Sequence, residues 1–130
     1  MIVLDASAVV EWLLRTTAGH RIHQRISLHP ESLHAPHLLD VEVLQVLRRL
    51  VHRGVVTPAR ADEAVQDLLD LRITRHQHSG FVPRIWQLRN NFSAYDAAYV
   101  ALAEGLGATL LTHDGRLASA PSHAGAIELF

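Results

Sequence analysis

Two short runs constrain this chain more than any other feature. Ile2-Val3-Leu4 and Ala108-Thr109-Leu110-Leu111-Thr112 are nearly continuous apolar stretches, and each is closed by an acid, Asp5 and Asp114. A half-wet antiparallel strand alternates apolar and polar residues. A continuous apolar run of this length instead suits a parallel strand covered on both faces. Longer segments of helical periodicity fill the chain between them. Ser7 is expected to cap a helix over 8–15. A weaker helix is expected over 19–29, with Ile22, Ile26 and Leu28 inward and Pro30 as its stop. A short strand follows at 33–36, then a helix over 38–53 stopped by Gly54. Pro58 opens a helix over 58–72. A polar strand over 73–78 and a short helix over 82–90 carrying Trp86 come next. Ser93 caps a helix over 94–106 that Gly107 ends. A turn or short helix at 114–119 and a strand over 126–130 complete the order. This alternation predicts an α/β fold, an α/β/α sandwich with a central, mostly parallel sheet flanked by helices. At 130 residues the chain is expected to form one domain, 1–130.

Composition removes several chemistries. There is no Cys, so a thiol nucleophile, a disulfide scaffold and a Cys-ligated metal site are excluded. All 12 basic residues are Arg, which removes enzymes that need a lysine ammonium. With 13 acids the formal net charge is −1, so a nucleic-acid surface would have to be a local patch. No apolar run approaches a membrane span, and no basic stretch precedes Ile2, so no signal peptide and a cytoplasmic location are expected.

The placement of the acids is the main functional signal. Sites in open parallel sheets lie beyond the carboxyl ends of the strands. Asp5 ends the first strand and Asp114 follows the strand at 108–112. Glu42 lies early in the helix that follows the strand at 33–36. Asp96 lies in the first turn of the helix that leads to residue 108, so it points to the same edge. Each acid also suits a structural role: Asp5 in a turn, Asp96 in a capping box with Ser93, Asp114 as an N-cap, and Glu42 on a solvated stripe with Gln45, Arg49 and His52. Together, four carboxylates at one edge repel unless a cation sits among them. Oxygen donors without Cys suit Mg²⁺ or Mn²⁺.

Four segments carry a family resemblance. Met1-Ile2-Val3-Leu4-Asp5-Ala6-Ser7-Ala8, Leu39-Asp40-Val41-Glu42-Val43-Leu44, Ser93-Ala94-Tyr95-Asp96-Ala97-Ala98-Tyr99-Val100-Ala101-Leu102-Ala103 and Leu110-Leu111-Thr112-His113-Asp114 resemble, in order, the acidic motifs of PIN-domain ribonucleases. The resemblance spans the chain, and its length is similar to that of VapC-type toxins of bacterial toxin–antitoxin pairs. It implies metal ligation by Asp5 and Asp96, with Glu42 and Asp114 completing the pocket directly or through water. Ser7 and Thr112 match hydroxyl residues that support the acids. Gly115, Arg116 and Leu117 stand where some members carry a further acid, a departure that bears on a second metal ion. The implied activity is metal-dependent hydrolysis of RNA phosphodiester bonds. The implied partners are RNA and a VapB-type antitoxin whose tail lies in a groove of the toxin and can bring a basic side chain to the acids. Two alternatives stand beside this reading: a non-catalytic interaction module on the same fold, and another metal-dependent phosphoryl-transfer hydrolase. The haloacid-dehalogenase pattern, with Asp5 as nucleophile, wants an Asp where Ser7 stands.

Other residues are weighed against structural roles. The ten His include the close pairs His20 and His23, His34 and His37, and His76 and His78, but no third zinc ligand is evident. Arg116 is the candidate phosphate contact. Arg48, Arg49 and Arg53 suit a solvated helix face. Trp12 and Trp86 are expected in the core or at an interface. The helix over 38–53 carries more apolar residues than one face needs, which predicts a homodimer.

Overall fold

Strand β1 (Ile2–Leu4) lies at the centre of a five-stranded sheet. It is flanked by β2 (Leu33–Pro36) and β4 (Thr109–Thr112), with β3 (Ile73–His76) and β5 (Ile127–Leu129) at the edges. The structure is a computed structural model describing residues 1–121, 123 and 125–130. Every pairing is parallel, and β1 runs against β4 in the register Ile2 to Thr109 through Leu4 to Leu111. Ile2, Val3, Leu4, Leu110 and Leu111 are fully buried, as the continuous apolar runs require. The polar character of β3 follows from its edge position: it pairs only with β2, and only Ile73 is buried.

Among the described residues seven α-helices cover the sheet: α1 (Ala6–Leu13), α2 (Thr17–Leu28), α3 (Leu38–His52), α4 (Pro58–Asp70), α5 (Val82–Gln87), α6 (Ala94–Leu106) and α7 (Gly115–Ser119). The core joins α1, α3 and α6 to the strands. Helix α6 is buried continuously from Ala97 to Ala103, because alanines let it lie close to its neighbours on several sides at once. Ser93 caps it, and Gly107 ends it at φ +61°, a backbone that favours glycine.

Three local expectations change. The cap of α1 is Asp5 rather than Ser7, since the Asp5 carboxylate accepts from the Ala8 N–H; the helix therefore starts at Ala6. On α2, Ile22 is buried but Leu28 is 67% exposed. Six residues on from Ile22, Leu28 is turned about 240° around the helix and leaves the inward face. The helix carrying Trp86 ends at Gln87, after a 3₁₀ turn over Ser79–Phe81.

The α1–α2 corner is tight. Arg15 sits in the left-handed region at φ 55°. Its N–H donates to Trp12 O at 3.2 Å, and the Thr16 N–H donates to Glu11 O at 3.2 Å, which is Schellman closure with a non-glycine residue. A Cβ on Gly19 would lie 1.9 Å from Glu11 O, so the two helices meet backbone to backbone. Arg15→Gly is expected to stabilise the fold by about 1 kcal/mol, because it relieves the left-handed strain. Gly19→Ala is expected to destabilise it by roughly 1–3 kcal/mol through overpacking. Urea unfolding of both variants checks the opposite signs.

Candidate metal-binding active site

Asp5 reaches the carboxyl edge because β1 ends there, and its role as N-cap of α1 fixes its backbone. The residue is 4% exposed. Oδ1 accepts from the Ala8 N–H at 2.9 Å and from Ser7 Oγ at 2.7 Å, and Oδ2 accepts from Thr112 Oγ1 at 2.5 Å. Ser7 and Thr112 lie 3.2 Å apart and are themselves held by backbone donors, the His113 N–H on Ser7 and the Asp114 N–H on Thr112. One chain of hydrogen bonds thus ties the ends of β1 and β4 together.

The other acids come to the same cleft from three helices. Asp96 lies in the first turn of α6, beside the Ser93 cap. Glu42 projects from α3, half-buried; Oε2 accepts from Tyr99 Oη at 3.4 Å, and Oε1 is buried with no hydrogen-bond partner among the described residues. Glu42 is therefore not part of a solvated stripe. Asp114 is the N-cap of α7 and accepts from the Arg116 N–H at 2.9 Å. Asp5, Ser7, Glu42, Asp96 and Asp114 line one cleft of about 260 Å³.

The electrostatics agree with crowded like charges. Burial raises the Asp5 carboxyl above its ordinary value against the pull of its three donors, and Asp96 adds to the rise. Burial raises Asp96, with Asp114 contributing. Glu42 is pushed up to about 7, by burial first and by Asp96 second. Burial and Glu42 push the Tyr99 phenol far above neutrality, so it stays a donor.

These donors fit a hard divalent cation. All are oxygens, the proton affinities of Asp5, Glu42 and Asp96 are raised as for carboxylates lacking a counter-charge, and Glu42 Oε1 is a buried acceptor without a partner among the described residues. Among the described residues no three Asp, Glu or His side chains already stand around one point as a closed cage. The acids share a cleft and a field.

Sequence reasoning missed two cleft residues, Tyr99 and Glu11. Both carry a readable signal. Tyr99 falls three residues after Asp96 and Glu11 four after Ser7, so each shares a helix face with a candidate site residue. The Glu11 carboxylate accepts from Thr16 and lies 3.9 Å from His113 Nε2. Arg116 stands at the rim with its side chain 95% exposed, and its Nε is 3.7 Å from Asp114. Arg48 and Arg49 are exposed on α3, and Arg53 is exposed just beyond its end. Away from the cleft, His34 Nδ1 meets His76 Nε2 at 2.8 Å, a cross-strand pair that differs from the sequence-local pairs. Trp12 is half-buried against His23, whereas Trp86 is 66% exposed.

Comparison with known proteins agrees with this fold. The PIN domain family matches residues 2–122. The chain is 45% identical over 129 residues to Ribonuclease VapC12 of Mycobacterium tuberculosis, covering 99% of this chain and 98% of that protein. It is 44% identical over 117 residues to Ribonuclease VapC9 of the same organism, covering 90% and 88%. Among solved structures, PAE2754 from Pyrobaculum aerophilum superposes with a TM-score of 0.71 at 25% identity, over 97% of this chain and 87% of that one. VapC20 of M. tuberculosis, described as a sarcin-ricin loop cleaving toxin, shares the fold with a TM-score of 0.66 at 14% identity, over 90% and 92%. The chain belongs to the PIN-domain family, and within it to the VapC-type ribonucleases.

Without metal, the raised Glu42 makes stability depend on pH. The folded protein keeps a proton that the unfolded chain loses above its ordinary value of 4.5, so this stability is full below that value and fades as pH rises through about 7. In EDTA, melting temperature is expected to fall between about pH 5 and about pH 8, and to fall less in Glu42→Gln. Melting curves of both proteins across that range are the check.

Proposed function

We propose that this chain is the toxin ribonuclease of a VapBC-type toxin–antitoxin pair, a single PIN domain over 1–130 that hydrolyses RNA phosphodiester bonds at the acidic cleft, in the cytoplasm. The observation that carries the reading is the convergence of Asp5, Glu42, Asp96 and Asp114 on one cleft, with a buried Glu42 oxygen unpartnered. Asp5, Asp96, Glu42 and Asp114 would hold Mg²⁺ or Mn²⁺. Such an ion supplies positive charge for the phosphoryl oxygens and lowers the pKa of water. The protein's own part is positional. Ser7 and Thr112 fix both oxygens of Asp5, so the most buried donor keeps one orientation. Arg116, free to reach outward, meets a backbone phosphate at the rim.

An antitoxin that places an arginine among these acids neutralises them, displaces metal and blocks RNA together. A second copy covers the apolar face beside the cleft. Val41 on α3, Val82 and Trp86 on α5, and Tyr95 on α6 are each more than half exposed, and Leu38, Trp86 and Tyr95 share one groove. No helix among the described residues is long and apolar enough to cross a membrane.

Asp5→Asn and Asp96→Asn are each expected to lower RNA cleavage more than about 100-fold, beyond the range typical of outer-sphere partners. Thermal melting in EDTA should show both variants folded. Near-normal cleavage by either folded variant defeats the assignment, and cleavage of a phosphate monoester with RNA untouched points to another phosphoryl hydrolase. Millimolar Mn²⁺ is expected to raise the melting temperature of the wild type and not of the Asp5, Asp96 and Asp114 triple Asn variant. Light scattering is expected to give twice the chain mass, and a charged residue at Trp86 to give the monomer.

A further inference from the structure

We propose that Tyr99 is a positioning residue for the cleft, its hydroxyl holding Glu42 inward toward the site that Asp5 and Asp96 line. The proposal rests on the metal-dependent reading of that cleft.

Tyr99 is 1% exposed and stands among the largest fully buried side chains. Its neighbours along α6, from Ala97 to Ala103, are otherwise apolar. A phenylalanine would fill the same volume without bringing a polar atom out of water, a burial that is unfavourable unless the hydroxyl is bonded. The described hydrogen-bond partner of that hydroxyl is Glu42 Oε2, at 3.4 Å. This is long for an O–H···O bond, so it adds little to the stability of the fold. Its consequence is directional.

Glu42 needs such a restraint. Asp96 and Asp5 both repel it. On either side of it along α3, Val41, Leu44 and Gln45 are exposed, so solvent lies within reach of its side chain. Its other oxygen has no partner among the described residues to hold it inward. Tyr99 approaches from the buried side with its hydroxyl as the donor. It also lies one turn beyond Asp96 on the same helix. One side chain therefore couples the helix that carries Asp96 to the helix that carries Glu42, and places two carboxylates relative to each other before any ion arrives. Preformed placement of this kind raises metal affinity in the way outer partners of ligands do.

The test is a Mn²⁺ titration by calorimetry on four folded proteins: wild type, Tyr99→Phe, Glu42→Gln and the double variant. Tyr99→Phe is expected to weaken Mn²⁺ binding by roughly 10-fold, while its melting temperature in EDTA stays within about a degree or two of wild type. In the Glu42→Gln background the same change is expected to have no further effect on affinity, because the hydroxyl acts through Glu42. Equal Mn²⁺ affinity in wild type and Tyr99→Phe overturns the proposal, as does an equal loss in both backgrounds, which would make the phenol a general packing element. A wild type that binds no Mn²⁺ overturns the metal reading itself, a result distinct from either.

Discussion

A carboxylate taken almost wholly out of water is unstable on its own, and the effective penalty runs to several kcal/mol unless donors replace the lost hydration. Asp5 meets that demand with the Ala8 N–H, Ser7 and Thr112. Those donors come from two places: the first turn of α1, which supplies Ala8 and Ser7, and the end of β4, which supplies Thr112. Satisfying one side chain therefore fixes where the first helix begins and how the two central strands finish against each other. The backbone donors on Ser7 and Thr112 extend the constraint into the 113–114 turn, which carries Asp114. The cleft is built outward from this one buried charge, and the rise in its proton affinity shows that the donors offset burial only in part.

Helix α6 makes the opposite contribution. Its alanines have little bulk, so it lies deep between the sheet and α5, and Gly105 leaves room for Phe81, whose ring a Cβ would approach to 2.5 Å. Arg84 and Glu104 pair at 2.7 Å across the α5–α6 contact. At the other end of α6, Asp96 in the first turn lines the cleft. Small residues in the core and a large charge density at the edge are two aspects of one design: the helix must approach closely for its acid to reach the others.

Much of this was legible in the sequence, for physical reasons. Parallel strands buried on both faces write themselves as apolar runs, and acids just beyond them fall at one edge by topology. That reasoning reaches Asp5, Glu42, Asp96 and Asp114 without coordinates. It fails where the deciding contact is between segments distant in sequence. Asp5 and Ser7 both suit a cap, and only the closure of β4 onto β1 uses Ser7 as a bridge to Thr112 instead. The His34–His76 contact depends on the β2–β3 register, which a polar edge strand does not encode. Tyr99 reads as core in an alanine-rich stretch, and its hydroxyl acquires meaning only when α3 is laid beside α6. Leu28 shows the reverse error, an apolar residue credited to the core when helix geometry turns it into solvent.

The strand order β3-β2-β1-β4-β5 also sets a timetable. A ribosome delivers the chain from residue 1 onward, so β1, β2 and β3 are made while the fourth strand does not yet exist. Until then β1 has an open edge on one side, Asp5 lacks the Thr112 hydroxyl, and Asp114 has not been synthesised. A nascent chain interrupted before β4 carries three of the four acids but cannot bring them to a finished cleft. The acidic cleft is therefore completed by nearly the last strand to emerge.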